Sequence, residues 1–247
     1  QLLVSQFTAH SLTTFVSTTN PKAMAVAGKS ANSDISSLIT GGELGGLIDF
    51  RVNSLDPAQA QLGLVATTLS ASFNAQQALG LDLNGAAGAA FFTSTTPAVT
   101  AASANTGSAV ITATIEDASA LTGDRYGLAY DGAAWALQNL STLAAEAINP
   151  PATVHGFKVT IASGAASAGD SFLIDLVGSG ASTFSVALTD PEKLAAAMPV
   201  RSSETLTNRG DGALTDMKVT STSVAPTLPL ANELILTFNT AQNRYDV

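Results

Sequence analysis

The sequence predicts an α+β protein, with short strands and two consecutive amphipathic helices in its N-terminal part and mainly antiparallel β-structure with one short helix in its C-terminal part. Between residues 44 and 73, apolar side chains recur every three or four positions, as on one face of a helix. Beyond Phe92, apolar and polar residues alternate as they do in strands. A Thr, Ser and Pro stretch separates the two patterns, so we expect a helix-rich part over residues 1–92 and a β-rich part over residues 93–247.

The N-terminal strands and the first helix are predicted from local signals. Residues 1–39 have apolar side chains spaced among Ser and Thr, with a turn signal at Asn20-Pro21. Thr40 is predicted to be the N-cap of a helix that begins at Gly41, because Glu43 stands at the spacing of a capping box. The apolar face of this helix comprises Leu44, Leu47, Ile48, Val52 and Leu55.

Four glycines occur in and around the first turn of this helix: Gly41, Gly42, Gly45 and Gly46. Each glycine in a helix interior costs about 0.8–1.0 kcal/mol relative to alanine. Two explanations stay open. Either another backbone packs closely against this turn, or the turn is frayed and partly irregular.

A second helix is predicted to begin directly after the first, so that the chain bends at the junction. Asp56 is the expected N-cap, Pro57 the first helical residue, and Gln59 the third. Gly80 is expected to end the helix in a left-handed conformation. The apolar face of this second helix is predicted to contain Leu62, Val65, Leu69 and Phe73.

The C-terminal part predicts antiparallel strands. Asp131-Gly132 lies between two short apolar runs within residues 126–135, which is a strong hairpin signal. One short helix is expected from the capping signal Asp190-Pro191. Further strands are predicted at 157–161, 171–176, 184–188, 217–220 and 234–238.

Composition limits the classes of partner. The chain has 10 Lys and Arg against 19 Asp and Glu, a formal net charge of −9, which disfavours binding to nucleic acid or to anionic membranes. The chain has no Cys, which excludes disulfides and thiolate metal sites. No apolar run is long enough to predict a membrane span, and the first residues lack the pattern of a cleaved signal peptide.

No motif predicts a metal site or a cofactor. The two histidines, His10 and His155, are far apart and are expected to be lone surface residues. Asp82 opens a segment resembling a calcium loop, but Ala86 and Thr93 stand where ligands should be, so a tight polar turn is expected. The tripeptide at 28–30 lacks the remaining features of a phosphate loop.

No motif predicts catalysis either, so we expect a protein that is not an enzyme. Gly-x-Ser-x-Gly is absent. Asp170, Asp175 and Asp190 are expected to be solvated residues at turns rather than a catalytic pair. Asn139-Leu140-Ser141 fits the glycosylation pattern, which has little specificity.

A series of motifs occurs in a fixed order: ITGGELGGLIDFR at 39–51, LDP at 55–57, FNAQ at 73–76, GLDLNG at 80–85 and the Phe pair at 91–92. These motifs closely resemble those of the flagellar hook-associated protein 1 family. Weaker matches follow in the same order as in the family: YGLAYDGAAW at 126–135, GDSF at 169–172, LTDP at 188–191 and AAA at 195–197. The long heptad helices found at the ends of that family are missing from this sequence.

This resemblance implies a structural adaptor of the bacterial flagellum, forming a ring that joins the hook to the filament. It implies copies of the same protein, the hook protein and hook-associated protein 3 as partners. It also implies an extracellular location reached through the flagellar type III apparatus without a cleaved signal. The face of Leu62, Val65, Leu69 and Phe73 is then expected to pack inside the helical domain, while the β domain projects outward, and the chain on its own is expected to be monomeric.

Other functions stay open. Another axial flagellar protein, such as the hook protein or hook-associated protein 3, is the nearest alternative. A secreted β-rich adhesin would account for the Thr and Ser content and for Arg209-Gly210-Asp211, a tripeptide that some adhesion ligands use. The two capped helices favour the flagellar assignment.

Overall fold

The computed structural model describes residues 4–5, 8–9, 13–16, 24–27, 35–200, 202–203, 205–207, 210, 219, 235–242 and 244–246. A long helix in the N-terminal part and mostly antiparallel sheets in the C-terminal part confirm the α+β class. Contacts group the chain into two compact units, one of Gln1–Leu69 with Ser94–Phe184 and the other of Ser70–Thr93 with Ser185–Val247. Each unit takes residues from both sides of the expected border at residue 92, and that border stays a prediction.

Short antiparallel strands precede the helix, as the sequence predicts. Strand β1 pairs with β2, and β3 with β4. A 3₁₀ turn at Ser36–Leu38 follows them. The turn expected at Asn20-Pro21 lies outside the described residues. The strand bounds are Val4–Ser5 for β1, Thr8–Ala9 for β2, Thr13–Val16 for β3 and Met24–Ala27 for β4.

The two predicted helices are one continuous element, which we call the long helix. It consists of α1 (Gly42–Phe50), a π-helical turn (Arg51–Leu55) and α2 (Asp56–Ala78). The second start predicted at Asp56 is wrong, because Asp56 is itself helical (φ −62°, ψ −45°) and its N–H donates to the carbonyl of Arg51. Proline lacks an N–H and crowds the carbonyl four residues earlier, and the wider π turn before Pro57 accommodates both effects without ending the helix.

The start of the long helix also differs from the prediction. Gly41 is the N-cap, in extended conformation (φ −139°, ψ 172°), and no side chain caps the helix. The capping role predicted for Thr40 is therefore wrong. Gly42 adopts φ +70°, a left-handed conformation that favours glycine, and this shifts the first helical residue one position beyond the prediction.

Two antiparallel sheets form the β part of the first unit. One has five strands in the order β5-β12-β7-β8-β9, and the other has three in the order β10-β11-β6. Their bounds are β5 Ala98–Ala101, β6 Val110–Ile115, β7 Arg125–Tyr130, β8 Trp135–Asn139, β9 Ala145–Ile148, β10 Ala152–Val154, β11 Phe157–Ser163 and β12 Ser171–Asp175. A 3₁₀ turn at Ala118–Ala120 and a one-turn helix α3 at Gly180–Thr183 complete this unit.

The core of this unit combines side chains from both sheets. Alternate residues of the strands are buried, which is the period expected when one side of each sheet faces a core. The most deeply buried apolar residues are Leu128, Leu137 and Ile174 of the five-stranded sheet, Phe157 and Val159 of the three-stranded sheet, and Val177 in the loop after β12.

The hairpin predicted at Asp131-Gly132 is confirmed. Strands β7 and β8 pair up to Tyr130 opposite Trp135. The Asp131 carboxylate accepts hydrogen bonds from the N–H groups of Ala133 (2.8 Å) and Ala134 (2.7 Å), and Gly132 has φ +104°. The turn therefore requires both residues of the motif.

Other C-terminal predictions are only partly confirmed. Residues 184–188 form no strand beyond a single bridge from Val186 to Phe92. The helix expected after Asp190 is a 3₁₀ turn at Pro191–Lys193. The N–H of Glu192 donates to the Asp190 carboxylate at the start of this turn. The strand predicted at 234–238 appears as β13, Thr237–Asn239, which pairs with β14, Arg244–Asp246. The strand predicted at 217–220 lies outside the described residues except at residue 219.

The sequence predicts that Gly80 ends the long helix in a left-handed conformation. This prediction is wrong, because Gly80 does not have a positive φ. A Cβ at Gly80 would instead lie 2.3 Å from the carbonyl oxygen of Ala195, so glycine is needed for close backbone approach.

In the part of the chain that the structure describes, no helix is both long and apolar enough for a membrane span.

Candidate assembly surface on the long helix

The long helix exposes large apolar side chains on the part that belongs to the first unit. Their exposed fractions range from 42% to 61%. We define the apolar helix face as these residues: Leu44, Leu47, Val52, Leu55, Leu62, Val65 and Leu69. A surface helix normally turns such residues inward, and clustered exposed apolar residues mark an interaction surface.

Small and polar residues occupy the opposite side of the helix, where it contacts the β part. Gly63 is so close to the loop after β12 that a Cβ there would lie 2.1 Å from the carbonyl oxygen of Val177. Thr67 is 2% exposed, and its hydroxyl lies 2.8 Å from that of Thr95. Gly180 of α3 approaches almost as closely, since a Cβ there would lie 2.6 Å from the carbonyl oxygen of Gly63. The helix thus packs mainly through small residues, together with the partly buried Leu64, and leaves the apolar helix face in solvent.

The distribution of charged residues along the long helix also indicates a contact surface. From residue 57 to residue 78 the helix carries no Asp, Glu, Lys or Arg. At the beginning of this stretch, Asp56 makes an ion pair with Arg125 of β7 (3.6 Å). An exposed helix surface without charge is poorly suited to permanent solvation and well suited to contact with another apolar surface.

The glycines of the first turn have separate explanations. A Cβ at Gly45 would lie 2.9 Å from the backbone carbon of Thr40, so glycine there allows close approach of the residues just before the helix, and packing of a separate segment against this turn stays a prediction. Gly42 supplies the left-handed φ of the helix start. At Gly41 and Gly46 a Cβ would have no heavy atom within 4 Å, and nothing in the structure explains why they are glycine. Glu43 is exposed in the first turn, where its negative charge favours the helix dipole.

The predicted packing residues of the second helix are exposed in this chain. Leu62, Val65 and Leu69 belong to the apolar helix face. Phe73, in the second unit, is 43% exposed, and its ring contacts those of Phe91 (4.9 Å between centroids) and Phe92 (5.3 Å). Burial of this face inside a helical domain therefore stays a proposal, which requires a further segment to cover it.

The acidic residues do not all behave as predicted. A solvated Asp170 is expected from the sequence, but the residue is 1% exposed. Its carboxylate accepts hydrogen bonds from the N–H groups of Ser167 (2.8 Å), Thr106 (2.8 Å) and Gly107 (3.1 Å). The bond from Ser167 is the main cause of a lowered Asp170 pKa, and it acts with the other two against the desolvation that burial brings.

The remaining candidate motifs are structural. The turn after Asp82 is confirmed as a tight polar turn, because the Asp82 carboxylate accepts from the N–H groups of Asn84 and Ala86, both at 2.8 Å. The Asn139 amide of the glycosylation pattern donates to Asp124 (2.9 Å). His155 is exposed as predicted but is paired with Glu146, 2.7 Å away. Within the described ranges, no three His, Asp or Glu residues are grouped so that they could hold a metal ion.

Some predicted motifs lie outside the described residues. These are His10, the tripeptide at 28–30, and Arg209 and Asp211 of the adhesion-type tripeptide.

Sequence reasoning missed the packing side of the helix. The signal was present, since Gly63 and Thr67 are four residues apart and therefore share one face. Small residues at this spacing allow close backbone approach, but the stronger apolar period indicates only the other side.

Two family models match the chain in succession. The flagellar hook-associated protein FlgK helical domain matches residues 1–92, and the flagellar hook-associated protein 1 D2-like domain matches residues 100–176. The match to the helical-domain family includes the apolar helix face. The match to the D2-like-domain family includes most strands of the two sheets.

Known flagellar hook-associated proteins are also similar to this chain in sequence or in structure. Flagellar hook-associated protein 1 of Escherichia coli (strain K12) is 32% identical over 230 residues, which is 90% of this chain and 42% of that protein. The Salmonella typhimurium protein of the same name is 32% identical over 65% of this chain and 30% of its own length. The solved structure of the flagellar hook junction protein FlgK from Burkholderia pseudomallei has a TM-score of 0.68 and 35% identity, covering 77% of this chain and 37% of that one. The chain thus spans less than half the length of these relatives.

Proposed function

Because the chain belongs to the flagellar hook-associated protein 1 family, we propose that it serves as a structural adaptor in a ring that joins the flagellar hook to the filament. The observation that carries this proposal is the apolar helix face, with exposed fractions of 42–61% and no charged residue from 57 to 78. Such a surface is suited to permanent assembly rather than to catalysis.

The proposed mechanism separates two tasks along one helix. The side bearing Gly63 and Thr67 fixes the helix against its own β part through close backbone contact. The apolar helix face remains available for a covering segment, either from the additional length that the relatives have or from a neighbouring subunit. In a ring, modest contacts of this kind are multiplied by symmetry.

The proposed partners are copies of the same protein, the hook protein and hook-associated protein 3. The proposed location is extracellular, at the hook–filament junction, reached through the flagellar type III apparatus without a cleaved signal peptide. Residues 1–92 would belong to a helix-rich inner domain and residues 93–247 to a β-rich outer domain. The family models at 1–92 and 100–176 support this division.

Immunogold labelling of flagellated cells with antibodies to this chain tests the proposal. Label confined to the junction of hook and filament is the expected result. Label along the hook or the filament would instead indicate another axial protein. Label over the cell body of cells without flagella would indicate an adhesin.

A further inference from the structure

An exposed Asn-Gly pair lies at the tip of the turn that follows the long helix. Asn84 is exposed, and Gly85 has φ +75° and no heavy atom within 4 Å of the position of a Cβ. The Gly85 N–H donates to the carbonyl of Asp82 at 3.1 Å, a longer contact than the two 2.8 Å bonds to the Asp82 carboxylate. The Gly85 N–H is thus hydrogen-bonded within the turn at an ordinary distance, and the space where a side chain of residue 85 would begin is open.

Asn84 differs from the other asparagines that the structure describes in the hydrogen bonding of its side chain and in the residue that follows it. Hydrogen bonds hold the side-chain amides of Asn53, Asn74, Asn105, Asn139 and Asn239. Asn149 precedes proline, which has no N–H to lose. Only Asn84, within this set, combines exposure, a following glycine and a side chain without a hydrogen bond to another described residue.

We propose that Asn84 is a site of spontaneous deamidation and isomerisation. The Gly85 nitrogen loses its proton to water and forms a bond to the Asn84 side-chain carbonyl carbon. The bond from that carbon to the amide nitrogen breaks, and ammonia leaves with a proton from solvent. Water then opens the resulting five-membered imide at either carbonyl, giving aspartate or isoaspartate. The net reaction consumes one water and releases one ammonia, and it needs no other reactant.

The products would alter a turn that positions the neighbouring segments of the second unit. An aspartate at position 84 adds negative charge next to Asp82. An isoaspartate adds a backbone carbon to the loop that is closed by the hydrogen bond between Asp82 N–H and the Ala86 carbonyl (2.9 Å). The adjacent Leu81 bridges to Ala87 and Ala197 would be loosened, because their register depends on that turn.

Incubation of the intact folded chain at mildly alkaline pH, followed by peptide mass spectrometry and enzymatic detection of isoaspartate, tests the proposal. Conversion at Asn84 should be several-fold faster than at Asn139, whose amide is bonded to Asp124. The variant Asn84→Gln should fold normally and should lose the ammonia released from this peptide.

A parallel incubation in denaturant defines the reactivity of the unfolded sequence. If Asn84 converts there but stays unchanged in the folded chain, the turn protects it and the proposal is wrong. Equal conversion at Asn84 and Asn139 in the folded chain would overturn it as well, because neither the following glycine nor the side chain of Asn84 would then favour the reaction.

Discussion

At the scale of single residues, the buried carboxylate of Asp170 shows how this chain manages a charge in its β part. Three backbone N–H groups, from Ser167, Thr106 and Gly107, surround it at 2.8–3.1 Å. Together they join the loop before β12 to the loop between β5 and β6. Backbone donors thereby stabilise the buried negative charge without any side chain having to be ordered. The role of Asp170 is therefore to hold these two loops together.

We expect Asp170→Asn to lower stability near neutral pH. The amide keeps one oxygen but places an NH₂ group against N–H donors, so at least one buried hydrogen bond is lost. The Asp170 pKa is lowered from its usual 3.8, so its stabilising effect is present above that value and is lost as pH falls through the folded-state pKa. The difference in unfolding midpoint between wild type and Asp170→Asn should therefore shrink in acid. Asp190→Asn, at an exposed position, is the control and should show a smaller difference at every pH.

Gly63 makes a second residue-scale prediction. Gly63→Ala would place a methyl group 2.1 Å from the Val177 carbonyl oxygen, and such overpacking usually costs about 1–3 kcal/mol. Gly46→Ala is the matched control, because Gly46 is helical and has open space around it. It should raise stability by about 0.5–1 kcal/mol through helix propensity. Chemical denaturation measures both changes, and a loss of stability no greater for Gly63→Ala than for Gly46→Ala would contradict the close-packing explanation.

At the scale of elements, the long helix shows what its sequence could and could not predict. The period of three and four correctly indicates a helix with Leu62, Val65 and Leu69 on one face. The same period does not say whether that face lies against the chain's own β part or in solvent, because periodicity records which residues share a face and not what covers them. The contact side was missed for that reason.

Local signals failed where two structures use the same residue types. Asp56-Pro57 fits an N-cap, but it also fits a helix that continues through a proline after a π turn. Thr40 has the chemistry of a cap, but the left-handed φ of Gly42 moves the helix start past it. The Asp131-Gly132 hairpin was predictable because the side-chain acceptor and the positive φ act within the same short turn.

The apolar helix face leads to an element-scale prediction. Leu69→Gln should change the free energy of unfolding of this chain by no more than about 0.5 kcal/mol, as for other surface substitutions, because Leu69 is 49% exposed. It should also reduce binding of an apolar fluorescent dye. Leu128→Ala, in the core, is the contrasting variant and should cost about 2–5 kcal/mol. A comparable loss of stability in both variants would mean that Leu69 is already packed in this chain.

At the scale of the whole molecule, the chain has a well-formed core in its two sheets and an uncovered apolar surface on its helix. The matched relatives are more than twice as long as the region they share with this chain. If the added length covers the apolar helix face, the exposed leucines are the inner layer of a larger helical domain.

Thiol labelling can test this interpretation, because the chain has no native cysteine. Leu62→Cys should react readily with a maleimide in this chain, since Leu62 is 61% exposed. In a chimera where this chain replaces the matching region of the Escherichia coli relative, the same thiol should react much more slowly, because a covering segment would exclude the reagent. Ala133→Cys, at the exposed tip of the β7–β8 hairpin, is the control and should react at similar rates in both proteins. If Leu62→Cys also reacts at the same rate in both, the added length does not cover the face, and a neighbouring subunit becomes the required partner.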